Sequence, residues 1–325
     1  MTMLYPLKFN PVYSYRIWAG DKLKTLLNKK YNEDLIGESW EISDIKDNET
    51  RVANGILKNK TLKELITEHK TDIVGEKNYK LFGNEFPLLI KFIDAKTPLS
   101  IQVHPDDDLA KQRHNSFGKN EMWYIMQADK DAELIVGFNK DTNKKDYSSH
   151  VKNNTITNIL NHEKVTKGDT FYIPAGRVHA IGAGVLLAEI QQKSDVTYRI
   201  FDYNRIDKKT GKTRELHTEL ALDAIDYNAD KNYKTNYTTK TNSSNPLVHS
   251  PYFKTNIVEI QGKLKMDYSK TDSFVIYMCV EGALTLTHNA ITYQLNIGET
   301  ILLPAAINQV QLQAENESRI LEVTL

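Results

Sequence analysis

Cysteine is nearly absent: Cys279 is the one thiol in 325 residues. A lone cysteine excludes an intrachain disulfide and a thiolate metal cluster, and its place in the apolar run FVIYMCV marks it as a core residue. Excess charge of either sign is also missing. The 42 Lys and Arg balance 42 Asp and Glu, so no global basic field draws the chain to nucleic acid. No apolar run approaches the roughly 20 residues of a membrane helix. The N-terminal MTMLYPLKFNPVYSYRIW lacks the basic start and apolar core of a secretory signal. No Gly-x-Gly-x2-Gly or Walker loop supports a nucleotide fold, and no helix pair or basic arm suits DNA. The expectation is a cytoplasmic protein with neither nucleic acid nor membrane as a partner.

What is present is strand-like. PLLIKFIDA (87–95), LSIQVH (99–104), EMWYIMQA (121–128), AELIVGF (132–138), TFYIP (170–174) and VLLAEI (185–190) are short runs rich in β-branched and aromatic residues. DKLKTLLNKKY (21–31), TLKELITEHK (61–70) and ELHTELALDAIDY (215–227) carry Leu or Ile at helical spacing, and Thr61 with Glu64 predicts a capping box. DDDLAKQRH (106–114) and HVKNNTITNILNH (150–162) are weaker helix candidates. Residues 227–250 are polar and poor in aliphatics, the composition of a linker or surface loop. Strand-like runs then resume without a helix. The expected organisation is a larger unit over 1–235, a polar linker over 236–250 and a smaller all-β unit over 251–325.

One segment occurs twice. GDTFYIPAGRVHAIG (168–182) and GETILLPAAINQVQL (298–312) align without a gap, but Gly176 becomes Ala306 and His179 becomes Gln309. The first copy, Gly-x5-Pro-x-Gly-x2-His, resembles the second metal-binding motif of the cupin barrel, a double-sheet jelly roll. Gly168 turns into a strand, Pro174 and Gly176 turn out of it, and the returning strand aims His179 inward. The resemblance implies a mainly β fold: two cupin barrels, with extra helices in the N-terminal, metal-binding part. The second copy keeps its turn residues and lacks the ligand, so it is expected to keep the fold without the metal.

The remaining ligands come from two nearby stretches. In PLSIQVHPDD, Gln102 and His104 are two residues apart, which on a strand puts both on one face. Glu121 opens the next strand in GKNEMWYIM. With His179 these make a nitrogen and oxygen set without sulfur, suited to zinc and also to iron or manganese. Gln102 is either a fourth ligand or a hydrogen-bond partner of one.

The QVHPDD and IPAG-x2-H blocks, together with IWAG (17–20), GESWEIS (37–43), FPLLIKFIDAKTPLSIQVHPDD (86–107), GKNEMWYI (118–125) and LAEIQQKSDVTYRIFDYNR (187–205), resemble the short bacterial form of the type I mannose-6-phosphate isomerases. The resemblance spans most of residues 6–205. It implies a zinc enzyme, one ion per chain, that interconverts mannose 6-phosphate and fructose 6-phosphate. His104, Glu121 and His179 match the family's metal ligands, and Gln102 a fourth assigned in some members. Arg199 matches an arginine considered catalytic. Ser100, Lys119, Glu189 and Asp195 match polar residues of the active site, and Arg205 falls where longer relatives have a lysine.

The expected chemistry is proton transfer between C2 and C1 through an enediol. Glu189 is the first candidate for the base, Arg199 for stabilising the enediolate, and Ser100, Lys119 and an arginine for holding the phosphorylated sugar. Trp18, Trp40 and Glu41 are expected only to pack. Two other readings compete: an iron-dependent cupin oxygenase, because two histidines and a carboxylate suit ferrous chemistry, and a non-catalytic sugar-binding cupin. Monomer and homodimer are both compatible with the sequence.

Overall fold

The computed structural model describes residues 4–325. Strands β1 (Phe9–Asn10), β2 (Val12–Tyr15), β3 (Ile36–Ile42) and β4 (Arg51–Val52) come first, with α1 (Lys22–Thr25) before β3, and α2 (Leu62–His69), α3 (Thr71–Val74) and α4 (Glu76–Phe82) after β4. Then follow β5 (Leu88–Ala95), β6 (Ile101–Val103), α5 (Asp107–His114), β7 (Glu121–Ala128), β8 (Glu133–Phe138), α6 (Lys144–Lys152), β9 (Leu160–Lys164), β10 (Thr170–Ile173), β11 (His179–Ile181), β12 (Val185–Gln192), β13 (Tyr198–Phe201) and α7 (Thr218–Ala224). The C-terminal part contains β14 (Ser244–His249), β15 (Lys254–Asp267), β16 (Val275–Glu281), β17 (Ala283–His288), β18 (Ile291–Asn296), β19 (Thr300–Leu303) and β20 (Gln309–Thr324).

These strands stack in layers. A six-stranded sheet runs β10-β7-β12-β5-β3-β2 and a five-stranded sheet β13-β6-β11-β8-β9. They pack face to face: Ile93, Trp123 and Leu187 of the first share a core with Leu134, Val136 and Ile181 of the second. The other face of the six-stranded sheet, with Phe92, Met122 and Tyr124, packs on Phe274, Met278 and Leu321 of the C-terminal part. With both faces covered, β5 and β12 are buried at every position, which explains their near-continuous apolar sequences. The five-stranded sheet is covered outside by Tyr147 of α6 and Ala221 of α7.

The architecture is mainly β, as expected, but among the described residues no sheet closes into a barrel. The two N-terminal sheets keep separate edges, and the C-terminal seven-stranded sheet ends at β14 and β19. Several local expectations change. Helix 21–31 shrinks to Lys22–Thr25, because Asn28 takes a left-handed φ of 55° and Lys29 turns inward to Glu41 at 2.6 Å. The helix sought in 150–162 begins upstream: Asn143 accepts from Asp146 N, Asn153 ends the turn, and 160–164 pairs with β8 as a strand. The polar stretch before residue 250 includes β14, and its tyrosines anchor it, with Tyr233 and Tyr237 donating to the Phe138 and Gly168 carbonyls at 2.9 and 2.7 Å. No helix of the described residues is long and apolar enough to cross a membrane.

Candidate active site and metal centre

Two cross-strand rows face each other between the N-terminal sheets. On the six-stranded sheet, register aligns Trp40, Lys91, Glu189 and Trp123 on four neighbouring strands. On the five-stranded sheet it aligns Arg199, Gln102 and His179. Residues opposite one another across strands present their side chains to the same face. The rows therefore bound one cavity of about 440 Å³, also lined by Trp18, Glu38, Ser100, Lys119, Glu121, Asp195 and Arg214.

His104, Glu121 and His179 meet at its base, with one ligand atom from each lying within 4.8 Å of the others. All three are buried. His104 Nδ1 contacts the Val196 carbonyl at 3.0 Å and His179 Nδ1 the Arg177 carbonyl at 2.8 Å. Each ring thus donates from Nδ1 and keeps its Nε2 lone pair for the centre, the arrangement that orients metal-binding imidazoles. His104 Nε2 stands 3.3 Å from Glu121 Oε1, and His179 Nε2 3.8 Å from Oε2. Both Glu121 oxygens and His104 Nε2 are buried without an aligned hydrogen-bond partner. Buried polar atoms without an aligned partner are costly, so these convergent donor atoms fit a divalent cation.

The electrostatics favour deprotonated ligands. Burial first, then Lys119, pushes the His104 imidazole down to about 3. Burial also lowers His179. Burial opposes ionisation of Glu121, but Lys119 and His104 outweigh it and hold the carboxyl well below its usual range. Lys119 Nζ lies 2.9 Å from Glu121 Oε1, a charge contact. Gln102 Nε2 sits 3.3 Å from His179 Nε2. Half a turn of its amide would present Oε1 to the centre instead.

The turn that follows β10 is tied to this centre. Gly176 N–H donates to the His104 carbonyl at 2.9 Å. Its φ of 88°, with the Ala224 carbonyl 3.0 Å from where a Cβ would stand, explains the glycine of the motif. In the second copy, Gln309 is exposed and its amide donates to Asp267 at 3.2 Å.

Nine of the ten residues singled out from the sequence come together here. His104, Glu121 and His179 form the cluster, Gln102 lies against His179, and Ser100, Lys119, Glu189, Asp195 and Arg199 line the adjoining cavity. Arg205 does not reach the cavity; it donates to the Pro98 carbonyl and pairs with Asp202. Glu189 is held by Lys91 Nζ at 3.0 Å and Trp123 Nε1 at 2.8 Å. Burial, then Glu121, raises its pKa against the pull of Lys91.

The lining residues without a role in the sequence reading include five charged ones: Arg16, Glu38, Lys91, Asp207 and Arg214. Lys91 is the one charge inside LLIKFI, and a buried ammonium in an apolar run was the available signal. Trp18 and Trp40, expected only to pack, also form the cavity wall, whereas Glu41 points away to Lys29 and Ser39.

The layered sheets and the buried His–Glu–His cluster define a class of mainly β protein with a candidate metal site between two sheets. Residues 7–143 match the family model for the phosphomannose isomerase type I catalytic domain, and 243–320 the model for the mannose-6-phosphate isomerase cupin domain. The chain belongs to the type I phosphomannose isomerase family. It is 34% identical to mannose-6-phosphate isomerase ManA of Bacillus subtilis, covering 96% of this chain and 97% of that one. The mannose-6-phosphate isomerase of Streptococcus mutans is 32% identical, with 97% of each chain covered. A crystal structure of the mannose 6-phosphate isomerase from Bacillus subtilis superposes with a TM-score of 0.89 at 31% identity, covering 99% of this chain and all of that one.

Proposed function

We propose that this chain is a cytoplasmic isomerase that interconverts D-mannose 6-phosphate and D-fructose 6-phosphate through an enediol, with one zinc ion per chain. The observation that carries the reading is the buried His104–Glu121–His179 cluster opening on a cavity that also holds Lys91 and Glu189. Relatives named for this activity match almost the whole chain. The same reading assigns 1–235 to a catalytic cupin unit and 251–325 to a cupin-like unit without the metal ligand.

His104, Glu121 and His179 would hold the ion, with Gln102 beside them. A divalent cation supplies Lewis-acid polarisation of a sugar oxygen when bound. The chain's own residues do the rest. Glu189 accepts the C2 proton and returns it at C1, while the hydroxyl proton passes from O2 to O1; its raised pKa is the direction that strengthens a carboxylate base. Lys91, 3.0 Å away, steadies the carboxylate between these steps. Arg199 stabilises the negative charge that develops on the enediolate. Trp18, Trp40 and Trp123 exclude water around the reacting carbons. Lys119, in contact with Glu121, orients that carboxylate from the cavity wall.

The test is to incubate the purified protein with mannose 6-phosphate and follow fructose 6-phosphate, before and after chelation. Activity is expected to vanish with the chelator and return with zinc, and metal analysis should give close to one equivalent. Full turnover by metal-free protein would overturn the metal centre. Absence of turnover in the zinc-loaded protein would overturn the isomerase.

A further inference from the structure

The charges of the cavity pair off except at one corner. Arg16 is matched by Glu38, Lys91 by Glu189 and Lys119 by Glu121. Arg199 has no carboxylate in ion-pair contact among the described residues. Its NH1 donates to the Glu215 carbonyl at 2.8 Å, and its Nε is buried without a partner. Next to it, Arg214 donates from Nε and NH2 to Asp202 at 2.8 and 2.5 Å, and Arg205 donates to the same carboxylate. Two guanidinium groups therefore share one carboxylate and Arg199 stands beside them without one, three positive charges against one negative.

The nearby acids do not cancel that excess. Asp207 accepts from the Tyr15 hydroxyl at 3.1 Å and from the Lys209 N–H at 2.8 Å, and the Lys209 Nζ lies nearby, 3.7 Å over the Tyr15 ring. The Glu215 side chain is in solvent, 83% exposed. Asp195 sits exposed at the rim that leads to a neighbouring cleft. Glu38 is held by Arg16 and Trp40. Burial, and after it Arg214, lowers the pKa of Arg199, so an anion at this corner would relieve both guanidinium groups.

The chain path delivers Arg214 here. After β13 the backbone reverses where Tyr203 and Asn204 take left-handed φ values of 54°. A short hairpin closed by Ile206 and Thr213 then returns the chain to the cavity. Arg205, at the start of the hairpin, stays outside, and Arg214, at its end, lines the wall.

We infer that Arg214, beside Arg199, binds the phosphate group of the sugar phosphate and selects phosphorylated over free sugar. The inference rests on the isomerase reading above. A phosphate monoester carries about −1.5 to −2 charges at pH 7, close to the excess at the corner. A guanidinium fork binds phosphate oxygens in pairs, which an ammonium cannot do.

The experiment compares zinc-loaded wild type, Arg214→Gln and Arg214→Lys by steady-state kinetics on mannose 6-phosphate, with inhibition by inorganic phosphate measured in parallel. For Arg214→Gln, KM and the inhibition constant of inorganic phosphate should each rise about ten- to a hundred-fold. kcat should stay within about twofold, the signature of a contact equal in ground and transition states. Arg214→Lys should recover part of the loss. A fall in kcat without a rise in either constant, or no change, overturns the proposal. If Arg214→Gln fails to fold, Arg214→Lys carries the test, since it keeps the charge and loses the fork; an unchanged KM and inhibition constant would then overturn it. Wild type that does not isomerise mannose 6-phosphate, yet binds inorganic phosphate through Arg214, would overturn the isomerase reading and leave the anion site standing.

Discussion

Glu38 illustrates how one residue of this site is fixed by its neighbours. Arg16 donates to both carboxylate oxygens, at 2.8 and 2.9 Å, and Trp40 Nε1 donates at 2.7 Å. Burial opposes its ionisation, but Arg16 and Lys91 outweigh that and hold the carboxyl at about 2, below its ordinary 4.5. A folded-state pKa below the unfolded one contributes stability that is present above about pH 4.5 and fades as pH falls toward 2. The shift corresponds to at most about 3.5 kcal/mol. Glu38→Gln should therefore destabilise the protein by up to that amount at pH 7, and the gap from wild type should narrow at pH 3. Urea unfolding at the two pH values checks this; a gap that stays constant would mean that packing, not charge, accounts for the loss. The same residue marks a limit of sequence reading. His104 and His179 were legible because strand and turn spacing aims them inward, and Glu121 because it opens the next strand in a block that resembles the family's. Glu38 and Lys91 sit in plain view within GESWEI and LLIKFI, but nothing local says that these two strands lie side by side. Arg214 was harder still, because a hairpin returns it to a wall that its own sequence does not mark.

Among the elements, α2 and α4 show the difference between local and tertiary signals. The Thr61 hydroxyl accepts from Glu64 N while Glu64 accepts from Thr61 N, the capping box expected from the sequence. Four-residue spacing alone determines that contact, so the helix was legible. The first turn of α4 has no side-chain cap of its own. Its Glu76 and Lys77 N–H groups donate to Asp272, almost two hundred residues away, at 2.6 and 3.0 Å. A cap supplied by another part of the chain has no local signature, and α4 was missed. Both caps satisfy otherwise unpaired N–H groups, so Thr61→Ala and Asp272→Ala should each cost about 1 kcal/mol. They should differ in reach. Hydrogen exchange in Asp272→Ala should quicken in α4 and also around residues 270–274, whereas Thr61→Ala should loosen α2 alone. Identical exchange patterns in the two variants would refute a separate tertiary role for Asp272.

At the scale of the molecule, the six-stranded sheet is the shared layer. One face carries Lys91, Glu189 and Glu121 toward the site; the other rests on the C-terminal part. The Phe86 and Phe274 rings approach to 4.6 Å between centroids, and Leu7 exchanges backbone hydrogen bonds with Leu302 at 2.8 and 2.9 Å. This gives the second copy of the repeated segment a physical reason to persist without its histidine. Its strands complete the core beneath the catalytic sheet, while Gln309 itself faces solvent. Two substitutions in the C-terminal part should therefore behave oppositely. Gln309→Ala should leave metal content and activity unchanged and alter stability by no more than about half a kcal/mol, as an exposed site predicts. Phe274→Ala removes a fully buried ring from the shared core and should cost about 3–5 kcal/mol. Because that core contains residues from both parts, the variant should still unfold in a single transition at a lower temperature, with loss of the C-terminal sheet and of metal binding together. Calorimetry followed alongside metal release measures both. Two separated transitions, with the metal retained after the first, would mean that the catalytic sheet stands without the C-terminal part, and the structural role assigned to the second copy would be wrong.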